Sequence, residues 1–173
     1  HIISQVGFIG IAVSFSVHPN ETISTFARAA AIFYIIHHII VKTNLFFVSG
    51  LIAQKKGSEE LKNLSGLFRT YPMIALMFLI PAGSLIGIPP FSGFWAKLSL
   101  FKIAIEARYL WVILAMILGS FFTLFSMLKI WTEIFWGESK GERDTEATVS
   151  SSSYLAVIIL CIVTLLISFM PSW

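Results

Sequence analysis

Charge is what this sequence has least of. Of its 173 residues, 12% are charged and 57% are hydrophobic, and the mean hydropathy is +0.86. A water-soluble domain covers its core with a surface in which about a quarter of all residues are charged. That shortage excludes a soluble globular domain, because over most of the surface the solvent must be lipid. Cysteine is nearly absent too. Cys161, the single one, sits in an apolar run, can form no internal disulfide and has no Cys or His companions for a metal site. It reads as a small residue facing lipid or another helix. Also missing are an HExxH pair, a Walker A loop, a GxGxxG turn and a Ser-His-Asp constellation. The adjacent His37 and His38 lack carboxylate or Cys partners at ligand spacing, so no metal is expected.

The net charge of +3 and pI near 9.1 raise the question of nucleic acid. The 12 Lys and Arg residues are spread over helices and loops, form no basic stripe and are not interleaved with aromatics. No nucleic-acid partner is expected. The densest basic loop (Lys55, Lys56, Lys62 and Arg69) also carries Glu59 and Glu60. The chain opens at His1 in mid-pattern, with neither an initiator Met nor a basic region before an apolar stretch. The opening is therefore not a signal peptide, and a fragment cut inside a helix is expected.

Apolar stretches between short polar breaks predict an all-α, polytopic transmembrane bundle of about six membrane segments. The first covers roughly 2–17 and ends at His18-Pro19-Asn20-Glu21. The second is expected from about Ala27, capped by Thr25, to Ala53, stopping near Gly57. The third runs from about Pro72 to Gly87 and the fourth from after Ile88-Pro89-Pro90 to near Glu106. Proline lacks a backbone donor and disfavours helix in the residue before it, so Pro89 and Pro90 must break the helix. The spacing leaves open whether the flanking pieces are separate crossings or halves of one. The fifth covers about Leu110 to Trp136, and the last about 154–171, after a hydrophilic loop from Gly137. Tyr71, Tyr109, Trp111, Trp136, Tyr154 and Trp173 stand at the proposed ends, where interfacial aromatics belong; Trp95 does not.

Ionisable groups at depth carry the information in such a chain. A central lysine costs about 2.5–3.5 kcal/mol on insertion scales. Lys42, Lys97, Lys102 and Lys129 all fall inside spans. Lys102 precedes Glu106 by four residues and Lys129 precedes Glu133 by four, near helix ends, so both can pair and snorkel. Lys42 has no carboxylate at three or four residues. Tyr34, His38, Lys42 and Phe46 follow one another at four-residue spacing, on one face with Ser49 close by, and are expected to point into the bundle. A histidine and a lysine one turn apart each disfavour the other's charge, as does removal from water, which is what a proton-exchanging pair needs. The plainer alternative is a lysine snorkelling through a wet cleft. His37, about 100° round the helix, reads as a satisfied packing histidine.

Lys97 also has no local partner, and it follows the break at Pro89-Pro90, where irregular backbone leaves polar groups open. Irregular backbone at depth is tolerated only against protein or water, and transporters place ion sites there. The alternative is a lysine anchoring a short helix at the interface. All nine acidic residues lie in loops or near helix ends.

At these residues the chain resembles a known family. His37-His38-Ile39-Ile40-Val41-Lys42-Thr43-Asn44-Leu45-Phe46-Phe47 resembles the His-x-x-x-Lys-x-x-Leu-Phe segment of antiporter-like membrane subunits. Gly87-Ile88-Pro89-Pro90-Phe91-Ser92-Gly93-Phe94-Trp95-Ala96-Lys97 is similar to their broken-helix motif, and Ser4-Gln5-Val6-Gly7 to a further shared helix. Residues 123–130 are similar to the D subunit of Mrp-type sodium/proton antiporters. The resemblance spans about 2–137. It implies the second helix repeat of an antiporter-like domain (about 1–137) plus a final helix. His38, Lys42 and Lys97 would be a proton relay, with Tyr34, His37 and Lys129 as further relay or supporting positions. It implies, too, a multi-pass subunit in the bacterial plasma (inner) membrane, bound to other antiporter or respiratory-complex subunits and handling protons and sodium. A proton-pumping subunit of a respiratory NADH:quinone oxidoreductase or membrane-bound hydrogenase is the alternative. The sequence carries no flavin, quinone or iron–sulfur signature and no cofactor is expected; in either setting the chain is a transporter subunit rather than a catalytic enzyme.

Overall fold

The computed structural model describes residues 2–57, 64–136 and 150–169. Within them the secondary structure is helical, and the elements are α1 (Ile2–Phe15), α2 (Glu21–Lys56), α3 (Leu67–Thr70), α4 (Pro72–Ile86), α5 (Ser92–Glu106), α6 (Leu110–Trp131) and α7 (Ser151–Ser168). A π-helical turn, Thr132–Trp136, continues α6. The polytopic helical bundle expected from the hydropathy pattern is what forms. Glu59, Glu60, Lys62, Met170 and Trp173, and the loop 137–149, lie outside the described residues.

Helix α2 starts six residues earlier than the apolar pattern predicts. Asn20, not Thr25, is its cap: Asn20 Oδ1 accepts from the backbone N–H of Thr22 and Ile23 at 3.0 and 3.2 Å. Glu21 then adds negative charge to the first turn, where the helix dipole favours it. Thr25 is inside the helix and accepts from the Arg28 guanidinium at 3.0 Å. The other end stops as predicted. Gly57 adopts φ +65°, and its N–H closes on the Ala53 carbonyl.

Three helical stretches, Glu21–Lys56, Leu110–Trp136 and Ser151–Ser168, are long and apolar enough to cross a membrane. Helices α4 and α5 have 15 residues each, or roughly 22 Å, short of a hydrocarbon core of about 30 Å. Their packing shows why both are short. The buried residues of α4 (Ile74, Ala75, Met77, Phe78, Ala82 and Leu85) cluster with Val41, Val48, Leu51 and Ile52 of α2. Those of α5 (Ala96, Leu100, Ile103 and Ala104) cluster with Ile23, Ala27, Ala30, Ala31 and Tyr34. The two pieces therefore lie end to end along α2, running against it, as halves of one broken helix. The alternative left open by the spacing is resolved by α2 itself, a single 36-residue helix that backs both halves.

The remaining helices follow the same division. Helix α1 packs beside the first half of α2, with Phe8 and Tyr34 stacked at 5.8 Å. Val157 and Cys161 of α7 pack beside the second half, and α6 reaches both halves through Met116 and Met127. Cys161 has a structural task. Pro81 inside α4 cannot donate to the carbonyl one turn back, that of Met77, and the Cys161 thiol reaches this oxygen at 3.7 Å. Large apolar side chains face outward, among them Trp111 at 82% exposure and Phe121, Phe122 and Phe125 at 60–62%, as lipid or further protein requires.

Candidate functional site

The α4–α5 break is where polar groups gather. Between Ile86 and Ser92 the chain leaves the helix, with Gly87 at φ +88°, a value glycine adopts without penalty. Pro89 and Pro90 lie in this non-helical link, as predicted. The break exposes the last carbonyls of α4 and the first amides of α5 at a level opposite the middle of α2, and in an apolar setting each needs a partner.

Lys97 satisfies the carbonyls. Its side chain folds back along the break, and Nζ donates to the Ile86 and Leu85 oxygens at 2.8 and 3.2 Å. The residue is only 6% exposed, and Nζ also lies 5.2 Å from the ring centroid of Phe8. A cation at a helix C-terminus sits at the favourable end of the dipole, and an aromatic face adds to that attraction. Among the described residues no carboxylate pairs with Lys97.

His37 and Ser92 form the other side. His37 is 1% exposed; its Nδ1 is 2.8 Å from Ser92 Oγ, which is 3.0 Å from Ser84 Oγ. The backbone N–H of Ser92 donates to Ser168 Oγ of α7 at 2.8 Å. Gly93 makes this closeness feasible. A Cβ there would sit 3.1 Å from His37 Cε1 and in collision with the Ser84 carbonyl, so only glycine lets α5 start against α4 and α2. A second buried polar chain joins α1, α2 and α6. Tyr34 OH donates to Gln5 Oε1 at 2.7 Å, and Gln5 Nε2 donates to Thr123 Oγ1 at 3.2 Å. Tyr34 meets His37 edge-on at 5.9 Å.

The sequence-predicted residues are thus divided among four places, the first being the break itself with Lys97, Pro89 and Pro90. Tyr34 and His37 take the fully buried face of α2, together with Val41, Asn44 and Val48. His38 and Lys42 flank that face and are half-buried. The expectation that Tyr34, His38 and Lys42 share one inward face therefore needs adjusting. Four residues in a helix advance by about 400°, so each step of four drifts about 40° round the axis, and over two steps His37 and Val41 take the centre. His38 Nε2 is enclosed without a hydrogen-bond partner among the described residues. Lys42 Nζ lies 5.5 Å from the Phe46 ring, and Lys42 lines a cavity of about 570 Å³ together with Ser49, Phe78, Met127 and Ile134.

Lys129 pairs with Glu133 at 3.9 Å on the exposed surface, as its spacing predicts. Lys102 is exposed, but its Nζ lies over Phe26 at 6.0 Å; among the described residues it forms no ion pair with Glu106. Ser84 and Ser168 were missed from the sequence, and Gln5, Ser92 and Thr123 entered only as parts of family-like motifs, without a role. Their signal was available as small polar residues within apolar helices, which in membranes mark helix–helix contacts.

A sequence profile of the family described as "NADH:quinone oxidoreductase/Mrp antiporter, TM" matches residues 2–123, from the first residues of α1 to Thr123 of the Gln5 chain. This chain belongs to that family. Among relatives, the D subunit of the Na(+)/H(+) antiporter of Alkalihalophilus pseudofirmus is 38% identical over 170 residues, 98% of this chain and 33% of that protein. Its counterpart in Bacillus subtilis is 33% identical over 174 residues, 100% of this chain and 34% of that protein. The chain thus spans about a third of the length of these NADH:quinone oxidoreductase/Mrp antiporter relatives. Among solved structures, a chain of the Mrp complex from Dietzia sp. matches with TM-score 0.68 and 29% identity, covering 96% of this chain and 43% of that one. A chain of the membrane-bound sulfane sulfur reductase, an archaeal respiratory membrane complex, gives TM-score 0.80 at 23% identity, over 97% of this chain and 32% of that one. That likeness is one of fold.

Proposed function

We propose that this chain is the second helix repeat and final helix of a multi-pass cation/proton antiporter subunit in the plasma membrane. It conducts protons through His38, Lys42 and Lys97 in exchange for sodium, with Tyr34 and His37 in support, inside a hetero-oligomer of antiporter subunits. The observation that carries this reading is Lys97, an ammonium 6% exposed on the open carbonyls of a broken helix. A lysine used only as a cap could be replaced by any donor, and a scaffold has no reason to bury one. The curated relatives named as D subunits of Na(+)/H(+) antiporters, at 33% and 38% identity, favour cation exchange over redox-driven pumping.

The test is made in the intact complex, in membrane vesicles, as dissipation of an imposed pH gradient on sodium addition, with assembly checked by co-purification. Lys42→Ala and Lys97→Ala each abolish transport while the complex assembles. Lys42→Arg fails too, because arginine holds its proton at any physiological pH. Normal transport by Lys42→Arg removes Lys42 from the proton path. Normal transport by Lys97→Ala overturns the reading.

A further inference from the structure

Helix α5 begins without a cap of its own. Phe91 occupies the cap position and offers no side-chain acceptor, and the break buries the first amide, that of Ser92. An unmet N–H at that depth is costly. The acceptor comes from 76 residues along the chain, Ser168 Oγ on α7, at 2.8 Å. Ser168 Oγ is itself a donor to the Thr164 carbonyl at 2.8 Å. Its one proton is therefore committed, and only its lone pairs face the break. The direction of the Ser92–Ser168 bond is set by this arrangement.

That bond holds Ser92 where its Oγ meets both His37 Nδ1 and Ser84 Oγ. Each of these contacts can run with Ser92 as donor or acceptor, so the polarity of the Ser84–Ser92–His37 chain decides which ring nitrogen of His37 carries the proton. From these contacts we infer that Ser168 is a positioning residue. The final helix clamps Ser92 and, through it, sets the orientation and protonation of His37 at the break. The inference rests on the proposed proton-coupled function, and it goes beyond it by giving α7, which lies past the profile-matched residues 2–123, a part in transport. The ionisable groups acting on His37 are His38 beside it and Lys97 of α5, with Tyr34 edge-on. Helices α1 and α4 contain no titratable side chain. On α7, Cys161 is turned to Asn44 and Met77, and Tyr154 packs with the cluster at the second half of α2.

The test uses the same vesicles, with the initial transport rate followed across pH. Ser168→Ala assembles, loses rate by roughly three- to tenfold, and displaces the pH profile. Ser168→Thr, which keeps the hydroxyl, retains at least half the rate with the wild-type profile. In a His37→Gln background Ser168→Ala brings no further loss, because its effect passes through His37. Should Ser168→Ala fail to assemble, Ser168→Cys, with its weaker acceptor, gives a smaller displacement in the same variable. A wild-type rate and profile in the assembled Ser168→Ala or Ser168→Cys variant overturns the inference. So does equal loss in Ser168→Thr and Ser168→Ala, or full additivity with His37→Gln. Lys97→Ala, measured alongside, separates the two ideas. If Lys97→Ala stops transport and Ser168→Ala leaves it untouched, the positioning role alone falls; if Lys97→Ala transports normally, the proposed function falls on its own.

Discussion

Lys97 Nζ donates to the Ile86 carbonyl at 2.8 Å across the Pro89-Pro90 link, so the second half of the broken helix supplies the cation that closes the first. The two halves are held together by the same ammonium that the proposed proton path uses. Lys97→Met keeps the stem but removes the ammonium, leaving the Leu85 and Ile86 oxygens without it. An unpaired buried acceptor costs about 1–3 kcal/mol. The assembled complex should melt lower and transport nothing, read by thermal unfolding in detergent and by gradient dissipation in vesicles. Lys97→Arg should restore much of the melting temperature without transport.

Gly93 leaves no room for a side chain, since a Cβ there would collide with the Ser84 backbone. Backbone cannot swing aside as a side chain can, so Gly93→Ala should cost about 1–3 kcal/mol or more and lower the yield of assembled complex. Gly50, where an added Cβ meets nothing within 4 Å, is the control; Gly50→Ala should assemble normally.

Tyr34→Phe removes the hydroxyl that Gln5 accepts at 2.7 Å and strands a buried amide oxygen. A loss of about 1–3 kcal/mol is expected. The double variant Tyr34→Phe with Gln5→Leu should lose less than the sum of the singles, since neither partner is then left unmet. Strict additivity in the melting measurements would mean that this bond contributes nothing.

Lys129 and Glu133 pair at 3.9 Å with side chains 63% and 43% exposed. Exposed pairs contribute little, about 0–1 kcal/mol, so Glu133→Gln should leave melting and transport near wild type. Lys129→Gln should do the same if the lysine only snorkels. A loss of transport in Lys129→Gln with normal assembly would move it into the proton path. Lys102→Ala should likewise be mild, because Lys102 is exposed beside Phe26.

Much of the architecture was legible in advance because lipid imposes strict rules. Apolar runs predicted where helices α1, α2, α4, α5, α6 and α7 lie, and the prolines marked the break within a residue or two. Helix starts were less legible. Asn20 and Ser150 cap α2 and α7, but both stand before polar first turns that hydropathy does not count. Within the site, Lys97 was visible as a lysine with no local partner. Its actual partners, the Leu85 and Ile86 carbonyls, were not, since every residue has a carbonyl and only the fold says which are left open.

By itself the sequence determined that the chain must be helical and lie in lipid, that it must break at Pro89-Pro90, and that Lys42 and Lys97 stand in apolar segments with no carboxylate one turn away. These are consequences of solvent and of local covalent geometry. Tertiary structure alone decided that α4 and α5 are halves of one helix, that His37 rather than His38 takes the buried face, and that Ser168 caps a helix beginning 76 residues earlier. Such pairings depend on which elements lie side by side. A serine hydroxyl has the same chemistry wherever it stands; its partner is chosen by the packing of α2, α5 and α7 around the break.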